Sequence, residues 1–278
     1  MQEQLGIEWL QPELRKKYQK LTDRLRELGR AAVAFSGGVD STLLLAAAQE
    51  VLGEKTIAVT LHAQTVPERE LEDAKAFCEA RGIRQLICEA DQFAVPGFRF
   101  NPEDRCYLCK KALFGEIFRQ AGDLGFPYVL DGTNADDVKV YRPGRKAAEE
   151  LGVISPLLDA GLTKQEIRTI SKALDLPTWR KPANACLATR FPYGTELTEA
   201  KLAMVEKAEN VLLKAGYPSV RVRVHGSIAR IEVPENEMPR LLGERQFIAS
   251  ELRGLGFPYV TMDLEGFRSG SMDRDKGK

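Results

Sequence analysis

Between five apolar residues and a Leu- and Ala-rich run, the chain reads Ser36-Gly37-Gly38-Val39-Asp40-Ser41-Thr42. The apolar residues predict a buried strand and the run predicts a helix, so the polar residues form a tight turn between them. The two glycines let the backbone approach an anion, and the first amides of the helix point towards it. The hydroxyls of Ser36, Ser41 and Thr42 are further donors, and Asp40 suits a Mg²⁺ ion bound with a phosphate. The stretch therefore predicts a site for a phosphate-bearing ligand.

This stretch is neither a Walker loop nor a dinucleotide fingerprint, because Gly-x-x-x-x-Gly-Lys and Gly-x-Gly-x-x-Gly are absent from it. Ser-Gly-Gly-Val-Asp-Ser resembles the pyrophosphate-binding loop of the PP-loop ATPases. Members of that superfamily split ATP between the α and β phosphates and adenylylate a substrate oxygen. The resemblance implies ATP and magnesium as cofactors, with the loop binding ATP and Asp40 holding the magnesium ion.

Polar residues also follow a later apolar stretch that ends at Leu130. Ligands of open α/β sheets bind beyond the carboxyl ends of the strands, where both this exit and the first loop would lie. Asp131, Asn134 and Asp137 are therefore candidates for contacts with a nucleotide or Mg²⁺, and we assign Asp131 to ATP binding. The alternative is that these side chains only cap turns.

Three of the five cysteines stand in surroundings that suit chemistry. Cys106 and Cys109 begin a helical pattern, so their sulfurs share one face of its first turn, where the helix N-terminus and nearby lysines favour thiolate. Cys186 lies in an irregular, turn-rich segment. If the three converge, they suit a [4Fe–4S] cluster with one open iron, a Zn²⁺ ion completed by His62, His225 or water, or a sulfur relay without metal. The other two cysteines stand among apolar residues and are predicted to be packing residues.

In the stretch from Val220 to His225, valines alternate with Arg221, Arg223 and His225. A strand of this pattern places the cationic side chains on one face and the valines on the other. Either the cationic face is solvated, or the arginines bind a phosphate or carboxylate, because two adjacent guanidiniums repel unless an anion lies between them.

The elements that must position these residues alternate strand and helix from the N-terminus onwards. This alternation predicts an α/β fold, a parallel sheet with helices on both faces. A segment without periodicity follows, and the remainder predicts helices near 198–215 and 238–255 and strands near 219–225, 228–233 and 259–264. We therefore predict a PP-loop domain over residues 1–190. A small C-terminal α+β domain, for substrate binding or oligomerisation, is predicted over residues 191–278.

The composition bounds the class of protein. The chain has 278 residues, 44% of them hydrophobic, which is enough for one large domain and a small one. Lys plus Arg and Asp plus Glu both number 40, so no overall basic field favours a nucleic acid partner. No run approaches the roughly 18 apolar residues of a membrane span, and the N-terminus lacks a signal-peptide pattern. We therefore expect a cytoplasmic protein with reduced cysteines and neither a membrane nor a nucleic acid partner.

Further motifs extend the resemblance over nearly the full length of the chain. They are Leu130-Asp131-Gly132-Thr133, Tyr141-Arg142-Pro143-Gly144, Arg190-Phe191-Pro192-Tyr193-Gly194-Thr195, Val220-Arg221-Val222-Arg223-Val224-His225 with Ile228-Ala229-Arg230-Ile231-Glu232, and Asp263-Leu264-Glu265-Gly266-Phe267-Arg268-Ser269-Gly270. Together with the phosphate loop they resemble the LarE family, ATP-dependent sulfur transferases that make the pincer ligand of the nickel cofactor of lactate racemase. The loop alone is shared by many PP-loop enzymes, whereas the Arg-Phe-Pro-Tyr-Gly and paired-arginine segments are more specific.

The resemblance implies a small-molecule nucleotide substrate. ATP would adenylylate a carboxylate of pyridinium-3,5-biscarboxylic acid mononucleotide, a sulfur nucleophile would displace AMP, and a second round would give the bis-thiocarboxylic acid. It further implies that Arg221 and Arg223 bind the substrate phosphate and that Arg190 stabilises the developing negative charge. A homo-oligomer is also implied, with a hexamer as the expected size.

Members of this family differ in the source of sulfur. One kind sacrifices a cysteine in the loop before Arg190 and is left with dehydroalanine. Another holds a [4Fe–4S] cluster on three cysteines and passes on an extra sulfide bound to the open iron. Cys186 falls in that loop, and the additional pair Cys106 and Cys109 favours the cluster type. All three are then expected to be cluster ligands and catalytic residues, with an external donor renewing the sulfide.

Three other functions compete with this interpretation. A PP-loop tRNA thiolase would share the ATP chemistry and three cluster cysteines, but the zero net charge, the lack of zinc-ribbon cysteines and Val39 in the loop argue against it. An amide or nitrile ligase that uses ammonia would use the cysteines as a structural Zn²⁺ site. A non-catalytic nucleotide sensor would be excluded by ATP turnover with release of pyrophosphate.

Overall fold

The computed structural model describes residues 6–139, 143–182, 185–268 and 272, and the chain forms two compact units. The first unit consists of Met1–Val95 and Asp104–Asn184, and the second of Pro96–Glu103 and Ala185–Lys278. A short segment of the second unit is thus inserted into the sequence of the first. The division into domains at residues 190 and 191, made from the sequence, stays a prediction.

The first unit is built on a parallel sheet of four strands in the order β3-β2-β1-β4. The strands are β1 Ala31–Ala34, β2 Thr56–Ala63, β3 Gln85–Ala90 and β4 Val129–Leu130. In the central strand, Ala32 lies between Ile57 of β2 and Val129 of β4. Strands β1 and β4 are continuous apolar runs, as parallel strands covered on both faces usually are, whereas β3 begins with Gln85 and carries the exposed Glu89.

Seven helices accompany this sheet in the described part of the first unit. They are α1 Pro12–Leu28, α2 Val39–Leu52, α3 Glu68–Ala80, α4 Arg105–Asp123, α5 Pro143–Glu150, α6 Pro156–Asp159 and α7 Lys164–Ala173. Ala31 and Val33 of β1 pack in one core with α1 and α2, whereas Ala32 packs in a second core with Phe114 and Ile117 of α4. Alternate residues of one strand therefore serve opposite faces, and the predicted α/β fold is confirmed.

The second unit contains a three-stranded mixed sheet. Its elements are α8 Glu199–Lys214, β5 Arg221–His225, β6 Ile228–Glu232, α9 Met238–Gly243, α10 Arg245–Gly254 and β7 Tyr259–Met262. Strands β5 and β6 form an antiparallel hairpin, and β7 lies parallel to β6 at the edge of the sheet. The single helix expected over 238–255 is wrong, because Glu244 leaves helical geometry at φ −89° and ψ 8° and divides it in two.

Every helix among the described residues is too short or too polar to span a lipid bilayer.

Candidate active site

The phosphate loop joins β1 to α2 as the sequence predicts. Gly37 has a φ of 66°, a conformation that glycine adopts without strain. Gly38 is the N-cap of α2 and has no side chain with which to cap it, so the first amides of the helix remain available to a ligand. Ser36 and Ser41 face each other, with their hydroxyl oxygens 3.2 Å apart. Thr42 is fully buried and its hydroxyl has no hydrogen-bond partner among the described residues, so its assignment to ATP binding stays a prediction.

Asp40 lies in the first turn of α2, and only one of its two carboxylate oxygens accepts a hydrogen bond from a described residue. Oδ2 accepts a hydrogen bond from Nζ of Lys164, whereas Oδ1 is buried without a hydrogen-bond partner among the described residues. Burial raises the pKa of Asp40 above its usual value; Lys164 opposes this shift and Asp137 adds to it. A carboxylate with one unsatisfied buried oxygen beside a phosphate loop fits a Mg²⁺ ion, which is held in nucleotide sites by one or two carboxylates and the phosphates themselves.

The exit of β4 is organised by Asp131. Its Oδ1 accepts hydrogen bonds from the hydroxyl of Ser155 at 2.7 Å and the amide of Thr133 at 3.1 Å, and its Oδ2 accepts one from the Thr133 hydroxyl at 2.7 Å. The ammonium of Lys110 lies 4.0 Å from Oδ2. Asp131 therefore shapes the loop that faces Asp40, and its assignment to ATP binding stays a prediction.

The other two candidates at this exit cap local turns. Asn134 Oδ1 accepts the amide of Asp136 at 2.9 Å, and Asp137 Oδ2 accepts the amide of Asn134 at 3.1 Å. This arrangement is the alternative that the sequence left open for these side chains. Asp136, which the sequence did not single out, instead accepts the amide of Lys164 at 2.9 Å and so joins the exit to α7.

Gly132 brings this exit against the phosphate loop. A Cβ atom added to it would lie 3.0 Å from the amide nitrogen of Ser41 and 3.1 Å from the Cβ of Asp40. Both of these atoms belong to the first turn of α2, which is anchored in the core. The strand exit and the helix therefore meet only because residue 132 has no side chain.

We expect Gly132→Ala to weaken ATP binding by about tenfold or more and to lower the free energy of unfolding by about 1–3 kcal/mol, because the new methyl group displaces backbone rather than a flexible side chain. Isothermal calorimetry with ATP and chemical denaturation measure the two effects. Gly115→Ala is the matched control, since this position in α4 has open space around it and gains helix propensity. Wild-type ATP affinity in Gly132→Ala would contradict this prediction.

The cysteines fall into two groups. Cys78 and Cys88 are buried, and burial raises the pKa of these thiols to about 12 and about 11, which disfavours the reactive thiolate. Cys106 is exposed and Cys109 is half-buried in the first turn of α4, where Nε2 of Gln92 lies 3.0 Å from the Cys109 sulfur.

Cys186 is half-buried in the second unit, and it directly precedes a 3₁₀ helix, Leu187–Arg190. No group of three or more His, Cys, Asp or Glu side chains in the described part of the chain is arranged to hold a metal ion. A cluster on Cys106, Cys109 and Cys186 therefore stays a proposal.

The two histidines have other partners or surroundings. His62 lies 2.8 Å from Glu89 and 3.1 Å from Glu68, and the hydrogen bond to Glu89 raises its pKa. His225 ends β5, and burial followed by the charge of Arg230 lowers its pKa. Neither histidine belongs to an assembled zinc site within the described ranges.

Arg190 is enclosed within the second unit, with 1% of its surface exposed. Its Nε and Nη2 donate to the two carboxylate oxygens of Glu209 at 2.7 and 3.0 Å. Its Nη1 donates to the carbonyl oxygens of Ala185 at 2.9 Å and Cys186 at 3.3 Å. Burial favours a raised pKa for Glu209, but Arg190, with smaller contributions from Arg221 and the Val222 amide, holds the pKa below its usual value. Arg190 thus fixes the backbone that carries Cys186.

The paired arginines of β5 are also buried, each with 5% exposed. Arg223 donates through Nε to Glu232 at 3.0 Å and through Nη1 to the carbonyl of Thr189 at 2.9 Å. Arg221 lies with its guanidinium 5.3 Å from the centre of the Phe267 ring. The row is therefore not a solvated face, and the anion beside Arg223 is an internal carboxylate. Binding of a substrate phosphate by Arg221 and Arg223 stays a prediction.

Sequence reasoning missed the carboxylates that complete this network. Glu209 stands among the buried positions of α8, between Val205 and Leu212, where an acidic residue needs a partner. Glu232 ends a strand that pairs with the arginine strand, with Arg221 directly opposite it. A charged residue on an apolar helix face is the signal that could have pointed to Glu209.

Asn101 ties the inserted segment of the second unit to the Arg190 loop. It is fully buried, has a φ of 48°, and donates through Nδ2 to the carbonyls of Ala188, Phe191 and Pro192 at 3.3, 3.1 and 2.9 Å. Asparagine suits this position because it tolerates a left-handed backbone and supplies two N–H donors.

Replacing Asn101 by alanine should lower the free energy of unfolding by about 2–4 kcal/mol, because buried carbonyls lose their donors and alanine is strained at positive φ. Asn101→Gly removes the donors without the backbone strain, so its loss should be about 1 kcal/mol smaller. Urea denaturation followed by far-ultraviolet circular dichroism measures both variants. A glycine variant as stable as the wild type would mean that the three hydrogen bonds contribute nothing.

The chain is similar in sequence to proteins of known family. Residues 13–95, from α1 to the loop after β3, match the NAD synthase family. The pyridinium-3,5-bisthiocarboxylic acid mononucleotide synthase of Lactiplantibacillus plantarum is 39% identical over 91% of this chain and 92% of its own length. The uncharacterized protein slr1717 of Synechocystis is 43% identical over 94% and 98%. A glutamine-hydrolysing GMP synthase chain of Thermoplasma volcanium is 29% identical over 69% and 67%.

Proposed function

Because this chain belongs to the LarE family, we propose that it uses ATP to convert pyridinium-3,5-biscarboxylic acid mononucleotide to the bis-thiocarboxylic acid. Its product would be the pincer ligand of the nickel cofactor of lactate racemase. The observation that carries the proposal is the phosphate loop with Asp40 in its first helical turn, in a chain similar to the plantarum synthase over nearly its full length.

The first half-reaction is an adenylyl transfer. A substrate carboxylate oxygen attacks the α phosphorus of ATP, the bond to the bridging oxygen breaks, and pyrophosphate leaves with its electron pair. The α2 amides and the Ser36 and Ser41 hydroxyls would bind the phosphates, and Asp40 would hold Mg²⁺. When bound, this ion neutralises phosphate charge as the leaving group forms. The acyl adenylate is activated because AMP is a better leaving group than a carboxylate oxygen.

The second half-reaction replaces AMP by sulfur. A sulfur nucleophile attacks the acyl carbon, the bond to the AMP oxygen breaks, and a thiocarboxylate remains. We propose a [4Fe–4S] cluster on Cys106, Cys109 and Cys186 as the site of the sulfur, renewed by an external sulfide donor. Three thiolates are the right number and type of ligands for a cluster with one open iron, which would supply the sulfide when bound. Sacrifice of the Cys186 sulfur is the alternative.

The arginines of the second unit take two roles in this proposal. Arg221 and Arg223 would bind the substrate phosphate. They would do so while also interacting with the internal carboxylates Glu209 and Glu232. Arg190 would stabilise the developing negative charge, and its hydrogen bonds to the carbonyls of Ala185 and Cys186 would hold the Cys186 loop in place. We also propose a homo-oligomer, with a hexamer as its expected size.

The proposal is tested by incubating the protein with ATP, Mg²⁺ and the biscarboxylic acid mononucleotide under anaerobic conditions. We expect pyrophosphate and AMP only when substrate is present, and a substrate mass that rises by exchange of oxygen for sulfur. Parallel reactions with tRNA, or with ammonia as the nucleophile, test the competing thiolase and ligase functions. Pyrophosphate release stimulated by either of these, and not by the mononucleotide, would overturn the proposal.

A further inference from the structure

Lys181 lies five residues before Cys186, close to the point where the chain leaves the first unit. Its ammonium is 2.8 Å from Glu70 Oε2 and 2.7 Å from Asp73 Oδ2, and both carboxylates belong to α3. The side chains of Lys181 and Glu70 are only 16% and 9% exposed, so water screens this ion pair little. Burial alone would lower the pKa of Lys181, but the hydrogen bonds to Asp73 and Glu70 raise it, so the ammonium stays charged.

The backbone next to Lys181 is bound as well. Arg168 of α7 donates through Nη1 to the carbonyl of Trp179 at 2.6 Å and through Nη2 to the carbonyl of Lys181 at 2.8 Å. We call residues Trp179–Lys181 the exit segment. Its carbonyls are thus bound by α7, and its last side chain is bound by α3.

The turn of α3 that binds Lys181 also contacts the phosphate loop. A Cβ atom added to Gly37 would lie 3.5 Å from the carbonyl oxygen of Glu70 and 3.6 Å from the amide nitrogen of Ala74. Glu70 therefore contacts the loop through its backbone and Lys181 through its side chain. All of these residues belong to the first unit, so they fix the exit segment relative to the phosphate loop.

The fixed position of Lys181 limits where the sulfur of Cys186 can be. Five residues of fully extended chain span at most about 18 Å, so the backbone of Cys186 lies within that distance of Lys181. A tether with a fixed start confines its far end to a smaller volume than a tether with a loose start. Confinement raises the effective concentration of a nucleophile at its target.

We propose that Lys181 is a positioning residue for sulfur transfer, because its ion pair with Glu70 fixes the start of the loop that carries Cys186. Activation of the carboxylate uses the phosphate loop and does not need this ion pair. The inference rests on the proposed function. It applies whether the Cys186 sulfur is itself transferred or Cys186 is a cluster ligand.

The first test compares the two half-reactions in Lys181→Met, which keeps the apolar stem of the side chain and removes its charge. We expect the amount of thiocarboxylate formed per pyrophosphate released to fall about tenfold, because acyl adenylate that meets no sulfur is lost to water. The rate of pyrophosphate release and the KM for ATP should stay within about twofold of the wild type. Lys181→Arg keeps the charge and should recover most of the ratio.

Lys17→Met is the matched control. Lys17 is a half-buried lysine of the same unit that binds Glu166 at 2.7 Å and the carbonyl of Gly161 at 2.8 Å, and both partners lie outside the exit segment. This variant loses a similar ion pair and should keep the wild-type ratio of thiocarboxylate to pyrophosphate. Asp73→Asn removes only the exposed partner of Lys181 and should lower the ratio by a smaller factor, so a milder variant is at hand if Lys181→Met does not fold.

The second test needs no substrate. Hydrogen–deuterium exchange of the amides of residues 185–190, followed by mass spectrometry, should be about threefold faster or more in Lys181→Met and unchanged in Lys17→Met. Exchange as slow as in the wild type would overturn the proposal, as would a wild-type product ratio in Lys181→Met or an equal loss of that ratio in Lys17→Met. A wild-type protein that forms no thiocarboxylate would refute the proposed function, and the exchange measurement would still decide whether Lys181 fixes the loop.

Discussion

Replacing Arg190 by methionine should lower the free energy of unfolding by about 3–5 kcal/mol. The change leaves the carboxylate of Glu209 buried and without its bidentate partner, with 0% of that side chain exposed. It also removes the donor to the carbonyls of Ala185 and Cys186. Methionine fills a similar volume, so the loss reports the charge and the hydrogen bonds more than a cavity.

Equilibrium denaturation in urea measures this loss, and Arg119→Met is its control. Arg119 forms exposed ion pairs with Glu116 and Asp123 on α4, and its replacement should change stability little. The double variant Arg190→Met, Glu209→Leu should recover much of the loss, because no buried charge then remains at these two positions. A single Arg190→Met variant as stable as Arg119→Met would contradict the prediction.

The pH dependence of this loss has a definite sign. Arg190 holds the pKa of Glu209 below its reference value of 4.5, so the pair stabilises the fold above that pH and loses its contribution as the pH falls through the folded-state pKa. In Arg190→Met the buried carboxylate has no such partner, and protonation relieves it. The difference in unfolding free energy between the wild type and the variant should therefore shrink on acidification below about pH 4.5.

Replacing Cys186 by alanine should abolish formation of the thiocarboxylate, with a loss of at least about a thousandfold, while substrate-dependent release of pyrophosphate continues. The two half-reactions separate because activation needs the phosphate loop and sulfur transfer needs the thiol. Reverse-phase chromatography coupled to mass spectrometry follows both products in one sample. Cys78→Ala is the control, since this buried thiol has a pKa of about 12 and should have no part in transfer.

Iron analysis of the same variants identifies the sulfur source. After anaerobic purification, about four irons per chain that are lost in Cys106→Ala, Cys109→Ala and Cys186→Ala would support the cluster. Protein without iron, whose Cys186 loses its sulfur after one turnover, would instead establish a sacrificed donor. Full sulfur transfer by Cys186→Ala would contradict both.

The sequence predicted the elements whose signals are local. The strand, glycine turn and helix around residues 31–52 lie within one short window. Apolar runs predicted the parallel sheet with helices on both faces, since a strand covered on both sides shows no alternation of polar residues. The comparison with the plantarum synthase confirmed the family that the longer motifs indicated.

What the sequence could not predict depends on contacts between distant residues. The pairing of Lys164 with Asp40 joins residues more than a hundred positions apart, and neither side chain marks the other. The alternation in β5 predicts that valines and cationic residues occupy opposite faces of the strand. It does not predict that the arginines are buried, because the carboxylates that neutralise them, Glu209 and Glu232, belong to α8 and β6. Local periodicity carries no information about such partners.

The inserted segment Pro96–Glu103 determines how this protein can be assembled during synthesis. Asn101 leaves the ribosome 87 to 91 residues before the carbonyls that it will bind. At the usual speed of translation this interval lasts about 5–20 s. Residues 104–184 of the first unit are synthesised during the same interval. A protein fragment that begins at residue 185 lacks this segment. A fragment that ends at residue 184 contains the segment without the rest of the second unit. Each unit therefore consists of two separate sequence segments, and no single continuous fragment of the chain contains one complete unit without part of the other.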